Sequence, residues 1–321
     1  MGGQELEMDK ELELKITLRK EVREKLRGLR NPNQFKSSAS IAIDWSIIIL
    51  GYFLIFKSYL LVPIGILLIG SRQRAISNLS HDASHINLFK RKSINDLVSN
   101  IFCALPMFET VEVYRKSHNQ HHQHLGDLKK DPDSCAHLGY GYNDSLPWKG
   151  HPILNYSRLI LNLKAIKSSL FGSLFSLSKN EKTVLAAWWI SVITIVFTLS
   201  TFNISIIVAL CWILAKLTSY HMIRIFAEFL DHSGLDNKDV ISFTRNLPHK
   251  GILRFIFHPN CDTYHIVHHL YPKIPHYNIA EADRILTARI DYTFAHHCDS
   301  YFFGNHSAID CWVGNCGGNH K

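Results

Sequence analysis

The sequence has no two cysteines spaced as C-x-x-C, and its seven cysteines are scattered and odd in number. A secreted disulfide framework needs an even, closely spaced set, so a reducing, cytosol-facing environment fits better. A Gly-rich dinucleotide fingerprint, a haem-binding His-Pro-Gly-Gly and ferredoxin-type cysteine spacing are also missing. The sequence therefore encodes no recognisable electron carrier. No apolar run by itself reaches the roughly 20 residues that span a bilayer. None opens the chain either: the first begins near Ile41, behind a charged leader of about forty residues, which is the wrong layout for a cleavable signal.

Net acidity is absent too. Thirty-five Lys and Arg face 27 Asp and Glu, a formal charge of +8 at pH 7. A basic chain can meet nucleic acid or an anionic membrane surface. Here the basic residues flank apolar runs, so the membrane is the better partner and nucleic acid is not expected.

Hydrophobic residues make up 46% of the chain and gather into a few runs separated by polar, His-rich stretches. Ile41 to Phe56 and Tyr59 to Gly70 form one pair of runs, joined at Lys57-Ser58; Thr183 to Leu199 and Ile204 to Leu217 form another, joined by Ser200 to Asn203. Extended into their flanks, they predict four membrane spans in two hairpins, at about 38–56, 58–76, 183–200 and 204–226. Leu97 to Phe108 is apolar but short, and reads as interfacial or re-entrant. The leader, residues 1–36, reads as a charged surface helix carrying Leu12, Ile16, Lys20 and Arg23 at helical spacing. Residues 37–290 form the membrane domain, and 291–321 a Cys/His-rich tail. The hairpin loops hold one basic residue, Lys57, whereas the other polar segments hold nearly all the rest. The positive-inside rule then places both termini and the central segment in the cytoplasm.

Histidine is the excess, at 20 residues. His81-Asp82-Ala83-Ser84-His85 puts two imidazoles four residues apart, on one helical face. His118-Asn119-Gln120-His121-His122 and His265-Ile266-Val267-His268-His269 are two copies of H-x-x-H-H, each aiming three imidazoles the same way. One H-x-x-x-H is a weak signal; these eight imidazoles exceed what a tetrahedral zinc uses and suit two metals with nitrogen-rich shells. Imidazole alone does not choose among Fe, Zn, Cu and Ni. At the end of the fourth span, Glu228 and His232 share a face, and His232 is a further candidate ligand. Glu228, Asp82, Asn119, Asp131 and Asp133 are candidates for direct ligation or for holding a ligand imidazole. All these clusters fall on the cytoplasmic side that the basic residues predict.

These residues resemble the membrane fatty acid desaturase superfamily, which also holds hydroxylases, carotene ketolases and sphingolipid desaturases. The resemblance runs from about Ile41 to Leu286 and rests on the three boxes, on Asp131-Pro132-Asp133, on Glu228 to His232, and on His268-His269-Leu270-Tyr271-Pro272 with Pro275. It implies an all-α integral membrane fold, with four transmembrane helices under a cytosolic helical cap that carries a di-iron site. The implied ligands are His81, His85, His118, His121, His122, His232, His265, His268 and His269, with two Fe ions as cofactors and O2 as co-substrate. Family members vary at the position of Glu228.

The expected reaction is O2-dependent insertion of a double bond into a fatty acyl chain or lipid. Alternatives within the superfamily are a hydroxylase, a ketolase, or a desaturase of a small metabolite. Electrons must come from a separate ferredoxin or cytochrome b5, for which Lys90-Arg91-Lys92 and Lys129-Lys130 are candidate docking patches. A metal transporter is a distant rival, because its ligands belong near the membrane midplane and these boxes lie outside the spans. A scaffold would leave the two H-x-x-H-H boxes unexplained. His124 falls off the face of its box, and His276 reads as a loop residue beside box three. The tail residues His296, His297, Cys298, His306, Cys311, Cys316 and His320 match no metal module and read as a flexible tail.

Overall fold

Four helices are long and apolar enough to cross a membrane: Gln34–Lys57, Tyr59–Ser84, Lys179–Leu199 and Phe202–His232, of 24, 26, 21 and 31 residues. The structure, a computed structural model, describes residues 20–248, 250–287, 292, 295–304 and 306–313. In chain order its helices are α1 (Lys20–Gly28), α2 (Gln34–Lys57), α3 (Val62–Ser84), α4 (Lys92–Ser99), α5 (Val111–Gln123), α6 (Pro132–Gly139), α7 (Pro152–Ile160), α8 (Leu163–Phe171), α9 (Lys179–Leu199), α10 (Phe202–Ala215), α11 (His221–His232), α12 (Ile252–Phe257), α13 (His265–Leu270), α14 (His276–Leu286) and α15 (Ala308–Trp312). A π-helical turn, Lys216–Tyr220, joins α10 to α11 without a break.

The second span continues well past its apolar run, to Ser84, so box one rides on the membrane helix itself. The fourth does the same and ends on His232. Ile49, Phe53, Ile190, Ile193 and Leu210 stand exposed on the long helices. Leaving such side chains in water forgoes roughly 25 cal/mol per Å², whereas a bilayer solvates them at no cost. Helices suit that solvent because every backbone group is satisfied within the segment.

Small residues set the helix contacts. A Cβ on Gly65 would lie 2.6 Å from the Gly51 carbonyl, so α2 and α3 touch backbone to backbone; one on Gly70 would lie 2.0 Å from Ser219 Oγ, where the two hairpins meet. The charges within the spans are partnered. Asp44 on α2 accepts from Arg72 on α3 at 3.1 Å and from Asn260 at 3.0 Å, tying the hairpin to the loop after α12. Lys216 donates to the Met107 carbonyl at 2.9 Å.

The short apolar segment expected at Leu97 to Phe108 is a helix over Lys92–Met107 that turns by 83° into α5. The described part of the leader is no free surface helix: Leu26 of α1 is buried among Tyr264, Ile266 and Ile279. The leader before residue 20 lies outside the described residues. The tail also departs from expectation. His296–His297 pairs in parallel with Arg245–Asn246, a two-residue ladder in a mostly helical fold. Trp312 is buried, stacks on Trp148 with ring centroids 4.4 Å apart, and donates to the Phe229 carbonyl at 2.9 Å. Two tryptophans supply enough apolar surface to fix a segment that looked flexible by composition. Cys316, His320 and the Cys311 side chain lie outside the described residues.

Candidate metal centre

The site is built where the two long second helices end. His81 lies in the last turn of α3 and His85 caps it. Arg115 of α5 closes that helix end by donating to the carbonyls of Ala83 (3.1 Å) and Ser84 (2.7 Å), and Asn95 donates to Ala83 as well. A cation at a helix C-terminus satisfies carbonyls that lack intrahelical partners and suits the dipole. The same contact fixes box one against box two, because Arg115 and His118 share α5. Thr110 caps the start of α5 and is itself bonded to Glu181 at the start of α9. Box three occupies α13, six residues long, whose Ile266 amide is held by Asn246 of the small ladder.

The nine histidines converge in two groups. His81, His85, His118, His122 and His268 form one; His121, His232, His265 and His269 form the other, and within each the donor nitrogens lie within 4.8 Å of one another. The H-x-x-H-H boxes straddle both groups. His118 and His122 go to the first while His121 goes to the second; His268 goes to the first while His265 and His269 go to the second. Box one serves only the first group, and His232 only the second.

The nitrogens fit cations better than they fit each other. His268 Nε2 lies 2.9 Å from His81 Nε2, 2.9 Å from His122 Nε2 and 3.3 Å from His118 Nε2. One ring nitrogen has a single proton or a single lone pair, so it cannot satisfy three such neighbours. Nitrogens bound at about 2.0–2.1 Å to one ion lie roughly 3 Å apart. His85 Nε2 is buried with no partner at all. In the second group, His265 Nε2 lies 2.9 Å from His232 Nε2 and 3.1 Å from His269 Nε2. Its tautomers are set from behind. His121 Nδ1 donates to Asp131 at 2.9 Å, and His232 Nδ1 donates to the Phe243 carbonyl at 2.8 Å, leaving both Nε2 lone pairs free.

Electrostatics keeps most of these rings neutral, the form that binds a metal. Burial, then the neighbouring imidazoles, pushes His118, His265, His268 and His269 well below the usual histidine range, and His122 to about 2. Burial holds His85 at about 4. His121 goes the other way: burial opposes its charge, but the Asp133 and Asp131 carboxylates outweigh it.

The acidic and amide candidates divide. Asp131 is fully buried and holds His121; Asp133 Oδ2 lies 3.5 Å from the same nitrogen. The Asp82 carboxylate holds no box histidine among the described residues; only its backbone carbonyl meets one, accepting from the His85 amide at the helix end. The carboxylate accepts from His276 Nδ1 at 2.7 Å, from the His276 amide and from Asn87, so box one is tied to α14. His276 is thus the buried first residue of a helix and no loop residue. Glu228 lies outside both groups: Arg224 donates to it at 2.7 Å and Arg74 stands 3.9 Å away. Asn119 is exposed on α5, and His124 belongs to neither group. No metal-binding group among the described residues includes His296, His297, Cys298 or His306.

Sequence reading missed the groups around an adjoining cavity of about 250 Å³. It touches both histidine groups through His81, His118, His121, His232 and His265, and is otherwise lined by Arg74, Glu109, Tyr114, Arg224, Asp231 and Asp262 among others. Arg74 pairs with Asp262 at 2.7 Å. Nothing in the spacing of Arg74, Glu109, Tyr114 and Asp262 marks them, whereas Arg224 and Asp231 lie on α11 with Glu228 and His232. A second cavity of about 270 Å³ lies in the stem among Trp45, Tyr52, Trp188, Trp189, Val208 and Trp212; it is almost wholly apolar and shares no lining residue with the first. Between them, Trp212 donates to the Pro106 carbonyl and Lys216 to the Met107 carbonyl.

The fatty acid desaturase family model matches residues 57–302, so the likeness runs into the tail, beyond Leu286. The chain is 30% identical to dihydrorhizobitoxine desaturase of Bradyrhizobium elkanii over 289 residues, covering 84% of this chain and 80% of that protein. It is 22% identical to the chloroplastic omega-6 fatty acid desaturase of Spinacia oleracea, covering 79% of this chain and 60% of the relative. With the sn-1 oleoyl-lipid 12-desaturase of Anabaena variabilis it shares 34% identity over 83 residues, 26% of this chain and 23% of the relative.

Proposed function

The chain belongs to the fatty acid desaturase family and is an oxidoreductase with membrane-compatible helices; from that premise we propose that it is an O2-dependent di-iron desaturase of a small polar metabolite. The observation that carries the substrate class is the cavity beside both histidine groups. Five of its lining residues are carboxylates, Glu109, Asp133, Glu228, Asp231 and Asp262, and two are guanidinium groups, Arg74 and Arg224. An acyl chain entering there would strip water from ions it cannot pair with, which costs several kcal/mol per ion. The apolar stem cavity suits a chain, but it touches none of the histidines. A relative named for a small metabolite, covered over most of its length, supports the same choice.

In this reading the nine histidines hold two iron ions, one in each group. Bound there, the irons supply the redox capacity to use O2 against an unactivated C–H bond. The balanced reaction is R–CH2–CH2–R′ + O2 + 2 e⁻ + 2 H⁺ → R–CH=CH–R′ + 2 H2O. The chain's own residues do the rest. Asp131 and the Phe243 carbonyl keep the Nδ1 protons of His121 and His232 in place, so both Nε2 atoms face inward. The cavity presents the substrate to both groups at once, and burial of the rings limits water. The two electrons come from a separate ferredoxin or cytochrome b5, docking on exposed basic residues such as Lys90 to Lys92 and Lys129-Lys130. Residues 37–290 form the membrane domain, with both termini and the site on the cytoplasmic side.

The test compares cells expressing the full chain with cells expressing His121→Ala. Purified protein is assayed for iron and for O2 uptake with a reduced ferredoxin, while lipids and polar metabolites are profiled by mass spectrometry. The expected result is two irons per chain, largely lost in the variant, and a variant-sensitive product two mass units lighter in the polar fraction. A change confined to acyl chains would restore the lipid reading, and a well-folded protein without iron or O2 uptake would remove the oxygenase.

A further inference from the structure

The charges of the polar cavity do not balance. Arg224 is committed to Glu228 at 2.7 Å, and Arg74 to Asp262 at 2.7 Å. Asp133 is turned toward His121. His137, the third cation of the lining, is held by Asp144 at 2.8 Å. That leaves Glu109 and Asp231 without a cationic partner in contact. Glu109 accepts only from Ser173, at 2.5 Å. Asp231 is 5% exposed, and its Oδ1 is buried with no hydrogen-bond partner. Its other oxygen stands 4.0 Å from His265 Nδ1, too far for a hydrogen bond. A buried carboxylate oxygen left unpaired costs several kcal/mol unless something fills the role.

We propose that this cavity recognises a primary ammonium group on its substrate, with Asp231 as the contact and Glu109 adding to the negative field. The inference rests on the cavity being the substrate pocket of the desaturase. An ammonium brings three donors and one positive charge, and so answers both the open acceptor and the charge excess. The cavity's volume, about 250 Å³, matches a small molecule below usual drug size. Arg74 Nε is likewise buried and unpaired, so an acceptor beside the ammonium is tolerated and a zwitterion fits. A bare anion meets five carboxyl groups against two guanidinium groups and His137, whose charge is already answered by Asp144.

The test is calorimetric binding to the full chain in detergent, as purified and without O2. The probes are pentylamine, norvaline, pentanol and pentanoate. Pentylamine and norvaline should bind about tenfold or more tighter than the other two, the worth of one charge-assisted hydrogen bond. Asp231→Asn should erase that preference while iron content stays near wild type. Should Asp231→Asn fail to fold, Glu109→Gln in the same cavity keeps the test open, and it should shrink the preference. Pentanol or pentanoate binding as well as pentylamine overturns the proposal. So does an amine preference that survives in folded Asp231→Asn. Iron and O2 uptake are scored separately. An amine preference in a protein without iron leaves the cation site standing and removes the desaturase; O2-dependent acyl desaturation without amine preference does the reverse.

Discussion

His121 donates from Nδ1 to Asp131 Oδ1 across 2.9 Å, and the carboxylate is itself held by the amides of Gly126 and Asp133 and by Ser134 Oγ. Burial alone would raise this acid, but its hydrogen bonds, that from His121 above all, hold it at about 2. The side chain is thus a fixed, ionised acceptor that leaves His121 one orientation. Asp131→Asn keeps the shape and removes the charge, and its NH2 group can face Nδ1 instead. Iron affinity should fall about 10- to 100-fold, the usual effect of losing such a partner. Iron titration of the stripped protein checks this; unchanged affinity would show that His121 needs no anchor.

Glu228 stands four residues before His232 but is engaged by Arg224 at 2.7 Å, outside both histidine groups. Glu228→Gln should therefore leave iron at or near the wild-type level, whereas His232→Ala should lose most of the second ion. Because Glu228 lines the cavity, the glutamine variant should still lower kcat/KM for the substrate. Loss of iron in Glu228→Gln would make this carboxylate a ligand after all.

The boxes were legible because H-x-x-x-H and H-x-x-H-H reflect helical geometry: residues three and four apart share a face, so the sequence alone implied converging imidazoles. That each H-x-x-H-H box serves both groups was not legible, since it depends on how α5 and α13 approach each other. Asp131 could be guessed from its place between box two and α6, but Asp82 looked the same and instead holds His276, 194 residues away. Hydropathy predicted four long apolar helices, and four are present among the described residues. That the helices run on to Ser84 and His232 followed from the boxes at their ends; the partners that hold those turns, such as Arg115 and the Phe243 carbonyl, were not legible. Arg74, Glu109 and Asp262 carry no periodic signal, so the cavity emerged only with the fold. The described part of the tail, up to Val313, was misjudged because composition weighed its cysteines and histidines above Trp312.

Asp44 and Arg72 form an ion pair between the first two spans, with side chains 3% and 2% exposed. Removing one partner strands the other charge in a low-dielectric setting, at a cost of about 3–5 kcal/mol. Arg72→Met should lower the melting temperature in detergent substantially, and Asp44→Asn combined with Arg72→Met should recover much of the loss. A double variant no better than the single one would mean that the pair's other contacts, Asn260 on Asp44 and Phe255 under Arg72, carry the stability.

His137 and Asp144 make the pair whose effect on pH dependence is most directly read. His137 Nδ1 lies 2.8 Å from Asp144 Oδ2 and its ring stacks on Phe229 at 4.2 Å. Burial opposes the imidazolium, but the Asp144 carboxylate outweighs it and raises His137 to about 9. The folded value lies above the ordinary 6.5, so the folded state binds the proton more tightly than the unfolded chain. The stabilisation is then complete below about pH 6.5, shrinks as pH rises, and is gone once pH passes about 9; it amounts to roughly 3 kcal/mol. The wild-type melting temperature should fall across that window relative to His137→Gln, which has no proton to lose. The two proteins should differ most near neutral pH and approach each other above pH 9. Parallel curves would mean that Asp144 does not hold His137 protonated, and that the pair serves only as a neutral hydrogen bond.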